Sequence, residues 1–255
     1  MGKVAVGKTQ SKGTLAMLKK LAFASAFVLY MTVLSGTAWA DNIPIVNPSF
    51  ETPAGPFSNT CGTGCSYSVG SFTGWTTLNG GEFQPGSLFF TSPIPDGSQI
   101  GYTNATRSLS QILTGNTVLA NSIYTLSVFV GNRTDGDSGS YTLSLDTILG
   151  GVTTTLCNFS GNANGLPGTP GSVALGAFQL EGCSYTSGSI VPSGDLYLLF
   201  TANTGQLDVD NVSLTVQSAT ATVPEPSSAL LLSVGMLLAA VAFMARRKKE
   251  LQFTA

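Results

Sequence analysis

From Ser122 to Val130 apolar and polar residues alternate, so that Tyr124, Leu126, Val128 and Val130 share one face. A period of two predicts a half-buried strand. Ser140 to Leu145 repeats the pattern with Tyr141, Leu143 and Leu145. The polar, glycine-bearing stretch 131–139 lies between them and predicts a turn. The two strands are therefore expected to pair as a hairpin. Further strands are predicted over 98–103, 107–113, 173–180, 194–202 and 206–216, and the Gly-, Asn- and Pro-rich stretch 160–172 reads as a surface loop. No stretch inside 41–218 sustains a period near 3.6, and no internal repeat is visible. Many short antiparallel strands with Gly-rich turns predict an all-β sandwich or jelly roll.

Outside 41–218 the pattern changes to two unbroken apolar runs. Leu21 to Leu34 follows a Lys-bearing segment and leads to Ala38-Trp39-Ala40. Ala38 and Ala40 give the small-x-small pattern that signal peptidase accepts, so residues 1–40 predict a signal helix cleaved before Asp41. The basic segment is long for this purpose, and Met17 before Leu18-Lys19-Lys20 makes a more ordinary start. Ala229 to Ala245 is a second run, uncharged over 17 residues and closed by Arg246-Arg247-Lys248-Lys249. At ~1.5 Å per residue such a run is long enough for a thin bilayer core, and the cations place its far end in the cytoplasm. Residues 229–249 thus predict a C-terminal transmembrane helix with a basic tail, joined to the domain by the linker 219–228.

Charge separates the parts further. Five of the 11 basic residues lie within residues 1–20 and four at 246–249, which leaves only Arg107 and Arg133 in 41–222, against 11 acids. Such an acidic, Lys-free domain is a poor partner for phosphate backbones, so no nucleic-acid role is expected. The chain has no His, which excludes His-dependent triads and His-rich metal sites. Four cysteines lie in the exported part: Cys61, Cys65, Cys157 and Cys183. An even count outside the cytoplasm predicts two disulfides, with three pairings possible. The Gly-Thr-Gly turn favours Cys61–Cys65, leaving Cys157–Cys183. The rival, a zinc site made of all four, lacks the usual CxxC spacing.

Val223-Pro224-Glu225-Pro226-Ser227, the apolar run and the basic tail follow one another in that order. This resembles the PEP-CTERM sorting signal of Gram-negative envelope proteins. Two prolines keep the segment extended, since each fixes φ and lacks an N–H, and an extended peptide at the membrane face is what a protease-like site can grip. The resemblance covers residues 223–249. It implies processing by a membrane-embedded exosortase, with Pro224, Glu225 and Pro226 as the sorting motif. Signal peptidase, exosortase and the inner membrane are then the implied partners, and the cell surface or extracellular matrix the destination.

A second resemblance rests on landmarks across residues 43–216. Asn47-Pro48-Ser49-Phe50-Glu51, Gly74-Trp75, Pro95-Asp96-Gly97-Ser98-Gln99, Ser108-Leu109-Ser110-Gln111 and Leu207-Asp208-Val209-Asp210-Asn211-Val212 occur in order. That succession is similar to galactose-binding-like jelly rolls, including carbohydrate-binding modules. The resemblance implies that the N-terminal segment and the last strand lie side by side. It also implies a structural calcium held by Glu51 and Asp210, with Asp208 as alternate; hard oxygen ligands suit this ion. Asp135-Gly136-Asp137 is a second acidic turn, without the other ligands of a calcium loop.

Sugar rings stack on aromatic faces, and Tyr67, Trp75, Phe83, Phe89, Phe90 and Tyr102 form the available pool. Trp75 and Tyr102 are the nominated ligand contacts, although a Trp after Gly in this setting is commonly core. Phe89 and Phe90 are expected on opposite faces of a strand. For hydrolysis, Glu51, Glu82, Glu181 and Asp96 can be nominated, but no spacing singles out a pair. The sequons at Asn104, Asn132, Asn158 and Asn211 read as chance matches in an Asn-, Ser- and Thr-rich domain. The sequence therefore points to an exported, non-catalytic protein of the cell envelope or biofilm matrix. A carbohydrate-binding module that captures extracellular polysaccharide is the alternative.

Overall fold

The computed structural model describes residues 40–219 and 235–236. Ala38, the Pro224-Glu225-Pro226 motif and nearly all of both apolar runs lie outside the described residues. Gly235 and Met236 are helical. Among the described residues no helix is long and apolar enough to cross a membrane.

The domain is built of β1 (Asp41–Asn42), β2 (Asn59–Thr60), β3 (Ser66–Tyr67), β4 (Thr76–Thr77), β5 (Gly80–Gln84), β6 (Ile100–Asn104) and β7 (Arg107–Thr117). They are followed by β8 (Ser122–Gly131), β9 (Ser140–Leu149), β10 (Val152–Asn162), β11 (Phe178–Thr186), β12 (Asp195–Ala202) and β13 (Gln206–Ser218). Two sheets result. One has eight strands in the order β11-β8-β13-β6-β5-β3-β2, with β1 also on β13; the other has five, β10-β9-β12-β7-β4. Every strand pair within them is antiparallel. The predicted all-β sandwich is the observed architecture.

The core lies between the sheets and follows from the alternation. β8 contributes Tyr124, Leu126, Val128 and Val130, β9 contributes Tyr141, Leu143 and Leu145, and β12 contributes Leu196, Leu198 and Phe200, all buried. Each such side chain contributes ~1.5–3 kcal/mol on leaving water. The expected hairpin of β8 with β9 does not form. β8 pairs with β11 and β13, while β9 pairs with β10 and β12. Both strands are amphipathic, and facing each other across the core buries both apolar faces; side-by-side pairing would leave each face waiting for a cover. Residues 132–139 therefore cross from one sheet to the other.

Other boundaries differ: β7 and β9 run four residues beyond the predicted ends at 113 and 145. The strand expected over 173–180 begins only at Phe178 and runs to Thr186, because a turn at Leu175–Gly176, closed by the Ala177 N–H to the Ala174 carbonyl, precedes it. The loop expected over 160–172 begins at 163, since β10 runs on to Asn162. β10 is an edge strand, mostly exposed, and its Thr-rich start carries no alternation to read.

Both favoured disulfides are present, Cys61–Cys65 and Cys157–Cys183. The second joins β10 at the edge of one sheet to β11 at the edge of the other, clamping the sandwich across its open side. It closes a sequence separation of 26 residues, for which chain-entropy reasoning gives a stabilisation of about 3–4 kcal/mol.

The N-terminal segment wraps onto the last strand as the resemblance implied. The Val212 N–H donates to the Pro48 carbonyl at 2.9 Å. Gln111 on β7 locks the same segment from the other side, accepting from the Val46 N–H at 2.8 Å and donating to the Val46 carbonyl at 2.9 Å. Phe50 then lies over Gly101 of β6, where a Cβ would come within 2.6 Å of the ring. Only glycine leaves that space.

Candidate functional site

The strands that bury Leu207 and Val209 in the core turn Gln206 and Asp208 to the opposite face of the eight-stranded sheet, because β alternation allows nothing else. On that outer face Asp208 is registered with Tyr102 and Gln206 with Asn104. A second apolar cluster covers the face: Cys65, Phe83, Phe90, Ile100 and Tyr102 are buried, and Tyr67, Phe89, Ile94 and Phe178 pack against them. Phe89 and Phe90 are not on a strand, as expected from the sequence, but in a turn whose two rings both enter this cluster. Phe89 meets Phe83 edge-on and Phe90 lies 4.5 Å from Phe178.

Where the cluster ends, a cavity of about 290 Å³ opens. Its walls are aromatic, from Tyr67, Phe83, Phe89 and Tyr102, and its polar groups come from Asn104, Arg133, Asp137 and Gln206. Cys61 also lines the cavity, so the Cys61–Cys65 disulfide borders it. The Tyr102 hydroxyl donates to the Ser68 carbonyl at 2.8 Å, and burial pushes its pKa to about 12, so it remains a donor.

Arg133 is held from three sides. Its guanidinium stands 4.6 Å from the Phe89 ring centre and 5.5 Å from that of Phe83. It also grips Asp135 with two bonds, Nε to Oδ1 at 3.0 Å and Nη2 to Oδ2 at 2.5 Å. The bidentate pair holds the Asp135 carboxyl below its usual range. Asp135 is thereby committed to Arg133, which settles the role of the acidic turn at 135–137. Beneath this pair Asp208 is fully buried. Gln206 Nε2 donates to its Oδ1 at 2.6 Å, but Oδ2 has no partner. Burial raises the Asp208 pKa to about 7, against the pull of Arg133.

Trp75 is not among the pocket walls. It is 1% exposed, stacked between Phe50 at 5.2 Å and Phe200 at 5.7 Å, with its indole N–H donating to the Asn47 carbonyl at 3.0 Å. The nomination of Trp75 as a ligand contact is corrected to a core role; Tyr102 does line the cavity. Arg133, Asn104 and Asp137 stand out in the sequence only as a cation, a sequon and an acidic turn, and Gln206 not at all; the fold brings all four to the pocket. Arg133 is one of just two cations in the domain, and that rarity is the sequence signal that marks it.

Glu51 and Asp210 come near each other in a separate acidic cluster. A bulge after Asp210, with Asn211 at φ 45°, turns its carboxylate to accept from the Asp96 N–H at 2.8 Å and the Asn211 N–H at 2.7 Å. Glu51 Oε1 accepts from the Ser98 N–H at 2.7 Å and the Gln99 N–H at 2.6 Å. Burial first, and then the charges of Asp96 and Glu51, raise the Asp210 pKa to about 7. The donor set is all oxygen and acidic, the chemistry a hard cation takes. Most of these oxygens already receive N–H donors, and among the described residues no three Asp, Glu, Cys or His side chains form a metal-holding group. Glu51 and Asp210 are thus each held by backbone N–H donors.

Fold and site define a two-sheet β-sandwich with an aromatic pocket on one outer face. A family model described as HpiC1 cyclase matches residues 41–215, and the chain belongs to this HpiC1-like family. The PEP-CTERM protein-sorting motif matches residues 222–248, marking the chain as an exported, exosortase-processed protein of the cell envelope or surface. No curated protein matches. Among solved structures, the CBM22-1 xylan-binding domain of Paenibacillus barcinonensis Xyn10C is similar at 14% identity over 72% of this chain and 100% of that one, with a TM-score of 0.41. A CBM4 structure aligns at 12% identity over 68% and 100%, with a TM-score of 0.40. The CBM22-1–GH10 modules of the Clostridium thermocellum xylanase 10B, complexed with xylohexaose, align at 15% identity with a TM-score of 0.37. There the match covers 56% of this chain and about a quarter (26%) of that one.

Proposed function

We propose that this protein is a non-catalytic component of the cell envelope or biofilm matrix that binds the end of a neutral polysaccharide in the Tyr67–Phe89–Tyr102 pocket. One observation carries the reading: four aromatic walls and a few fixed polar groups converge on one cavity of about 290 Å³. That size is at the small end of ligand pockets, which run ~300–1,000 Å³, and suits a terminal ring or short segment. The charge supports a neutral ligand, because Arg133 is already paired with Asp135 and Asp137 adds a negative charge beside it. An acidic glycan would meet repulsion without a free cation to offset it.

Calorimetry or a glycan array with the mature chain tests this. Tyr67→Ala and Phe89→Ala, both at half-buried positions, are each expected to weaken binding on the order of tenfold, from ~1–1.5 kcal/mol per aromatic contact, while the melting temperature stays near that of the parent. Binding to no neutral glycan, or binding unchanged in both variants, overturns the pocket assignment. Sorting is tested separately. Deletion of residues 223–255 is expected to abolish tail processing and surface retention, read by fractionation and intact mass; unchanged display removes exosortase from the account.

A second reading is favoured by Asp208. A cyclase, the activity named in the family description, calls for a proton donor, and Asp208 holds its proton up to about pH 7 directly under the pocket. Turnover of a ring-forming substrate that disappears in Asp208→Asn, with glycan binding absent, selects this reading over the first.

A further inference from the structure

A second recess lies on the opposite face of the sandwich. Ser140 and Thr142 alternate along β9 with the core residues Tyr141 and Leu143, so they stand on the outer face of the five-stranded sheet. β10 sets Asn162 opposite Ser140 and Ser160 opposite Thr142 on that face. The loop 163–172 closes one side. It is fastened by the Gly165 N–H to the Asn162 carbonyl at 2.8 Å, the Thr169 N–H to the Leu166 carbonyl at 3.0 Å and the Tyr141 hydroxyl to the Gly171 carbonyl at 3.3 Å. The trough so formed holds about 510 Å³, within the ~300–1,000 Å³ of ligand sites. None of the residues lining it is charged.

Its polar groups are hydroxyls and amides. The Ser140 and Thr204 hydroxyls lie 2.9 Å apart, and those of Ser160 and Thr142 3.0 Å apart. Each pair spends one O–H on itself and keeps the other, and a hydroxyl rotates to suit its partners. Ser140 and Ser160 can therefore either give or take a bond at the trough. Asn203 Nδ2 donates to Thr142 Oγ1 at 3.1 Å. Among the described residues, Asn203 Oδ1 and the Asn162 side-chain amide have no hydrogen-bond partner. Leu166, 77% exposed, and Pro170 add an apolar wall. Hydroxyls that switch between donor and acceptor, two open amides, an apolar wall and no charge fit a sugar, whose hydroxyls both donate and accept and whose C–H faces are apolar. A carboxylate or phosphate would meet no cation among the lining groups, and an ammonium no carboxylate.

We propose that this trough is a second site for a neutral sugar, and that the domain bridges two polysaccharide chains, one on each face. The trough stands on its own groups; the bridging rests also on glycan binding in the Tyr67–Phe89–Tyr102 pocket. The two sites share one ridge. The β8–β9 crossover and the turn between β12 and β13 are bonded together by the Gln206 N–H to the Asp137 carbonyl at 2.7 Å and the Asn203 N–H to the Ser140 carbonyl at 2.8 Å. From this ridge Asp137 and Gln206 line the first pocket, while Ser140 and Asn203 line the trough. The first pocket belongs to the outer face of the eight-stranded sheet and the trough to that of the five-stranded sheet. Sites turned to opposite sides take separate chains, and a domain already held by one chain meets its neighbour at a raised effective concentration.

The test titrates the mature chain calorimetrically with neutral gluco-, xylo-, manno- and galacto-hexasaccharides, then reads turbidity with the polysaccharide of the series that binds. The trough variant carries Asn162→Ala and Asn203→Ala, both at exposed positions; the pocket variant carries Tyr67→Ala and Phe89→Ala. Melting temperatures check that both are folded. Where the trough variant melts early, Ser160→Ala replaces it and is expected to weaken the trough ligand about tenfold. The expected result is two ligands per chain in the parent and one in each variant, with turbidity in the parent alone. One ligand per chain, lost in the pocket variant and kept in the trough variant, overturns the trough and leaves the pocket. One ligand lost in the trough variant and kept in the pocket variant supports the trough and overturns the pocket and the bridging. Two ligands per chain without turbidity overturn the bridging alone. Binding to none of the four series overturns both sites as sugar sites.

Discussion

Trp75→Ala lowers the stability of the domain by about 3–5 kcal/mol, the cost of emptying a large core site, and its melting temperature on the order of 10 °C. The side chain fills the space between Phe50 and Phe200, so it joins the N-terminal segment to β12. Truncation removes those contacts and leaves the Asn47 carbonyl without the indole donor. Circular dichroism melts check the size of the effect. Any loss of ligand binding in Trp75→Ala should track unfolding and vanish at temperatures where the variant is still native. A melting temperature within about 2 °C of the parent removes Trp75 from the core account. The contrast with Tyr67→Ala and Phe89→Ala, which should lose affinity and keep stability, separates packing aromatics from binding ones.

The second large effect is a stability that falls as pH rises. Glu82, Asp208 and Asp210 have folded-state pKa values raised to about 7, from ordinary values of 4.5, 3.8 and 3.8. Burial is the first cause in all three. The Glu51 charge adds to it at Glu82 and Asp210, and Glu82 Oε2 and Asp208 Oδ2 lack partners. A carboxyl with a raised pKa binds its proton more tightly folded than unfolded. The fold is therefore most favoured below the unfolded values, and loses stability as pH climbs from about 4 through about 7. Melting at pH 5 should occur several degrees above melting at pH 8, and Glu82→Gln and Asp208→Asn should each flatten the slope. A melting temperature that rises over this window contradicts the assignment. Calcium titrated at pH 8 tests the ion implied at Glu51 and Asp210: a rise that Asp210→Asn removes establishes it, and an unchanged curve leaves the two carboxylates to their N–H donors.

Strand content was legible because the core strands alternate strictly. Tyr124-Leu126-Val128-Val130 and Tyr141-Leu143-Leu145 signal their buried faces without help. Which strands neighbour each other was not legible. A period of two says that a face is buried, and not whether its cover lies beside it in the same sheet or across the core, so β8 and β9 read as a hairpin and stand in opposite sheets. β10 escaped for the converse reason: an exposed edge strand has little burial to record. The disulfides were legible from the tight Cys61–Cys65 spacing, which left only one partner for Cys157.

Sequence alone determined the class of the domain, its sorting motif, its acidity and its cysteine pairing, since each depends on composition, spacing or periodicity along the chain. Tertiary structure decided the site. Tyr67, Phe89, Tyr102, Arg133 and Gln206 are scattered over 140 residues and meet only because β13 inserts between β6 and β8. It also sent Trp75 inward and left Tyr102 on a wall, a choice between two aromatic residues that no local pattern encodes, because burial is fixed by which face of a strand the rest of the chain covers.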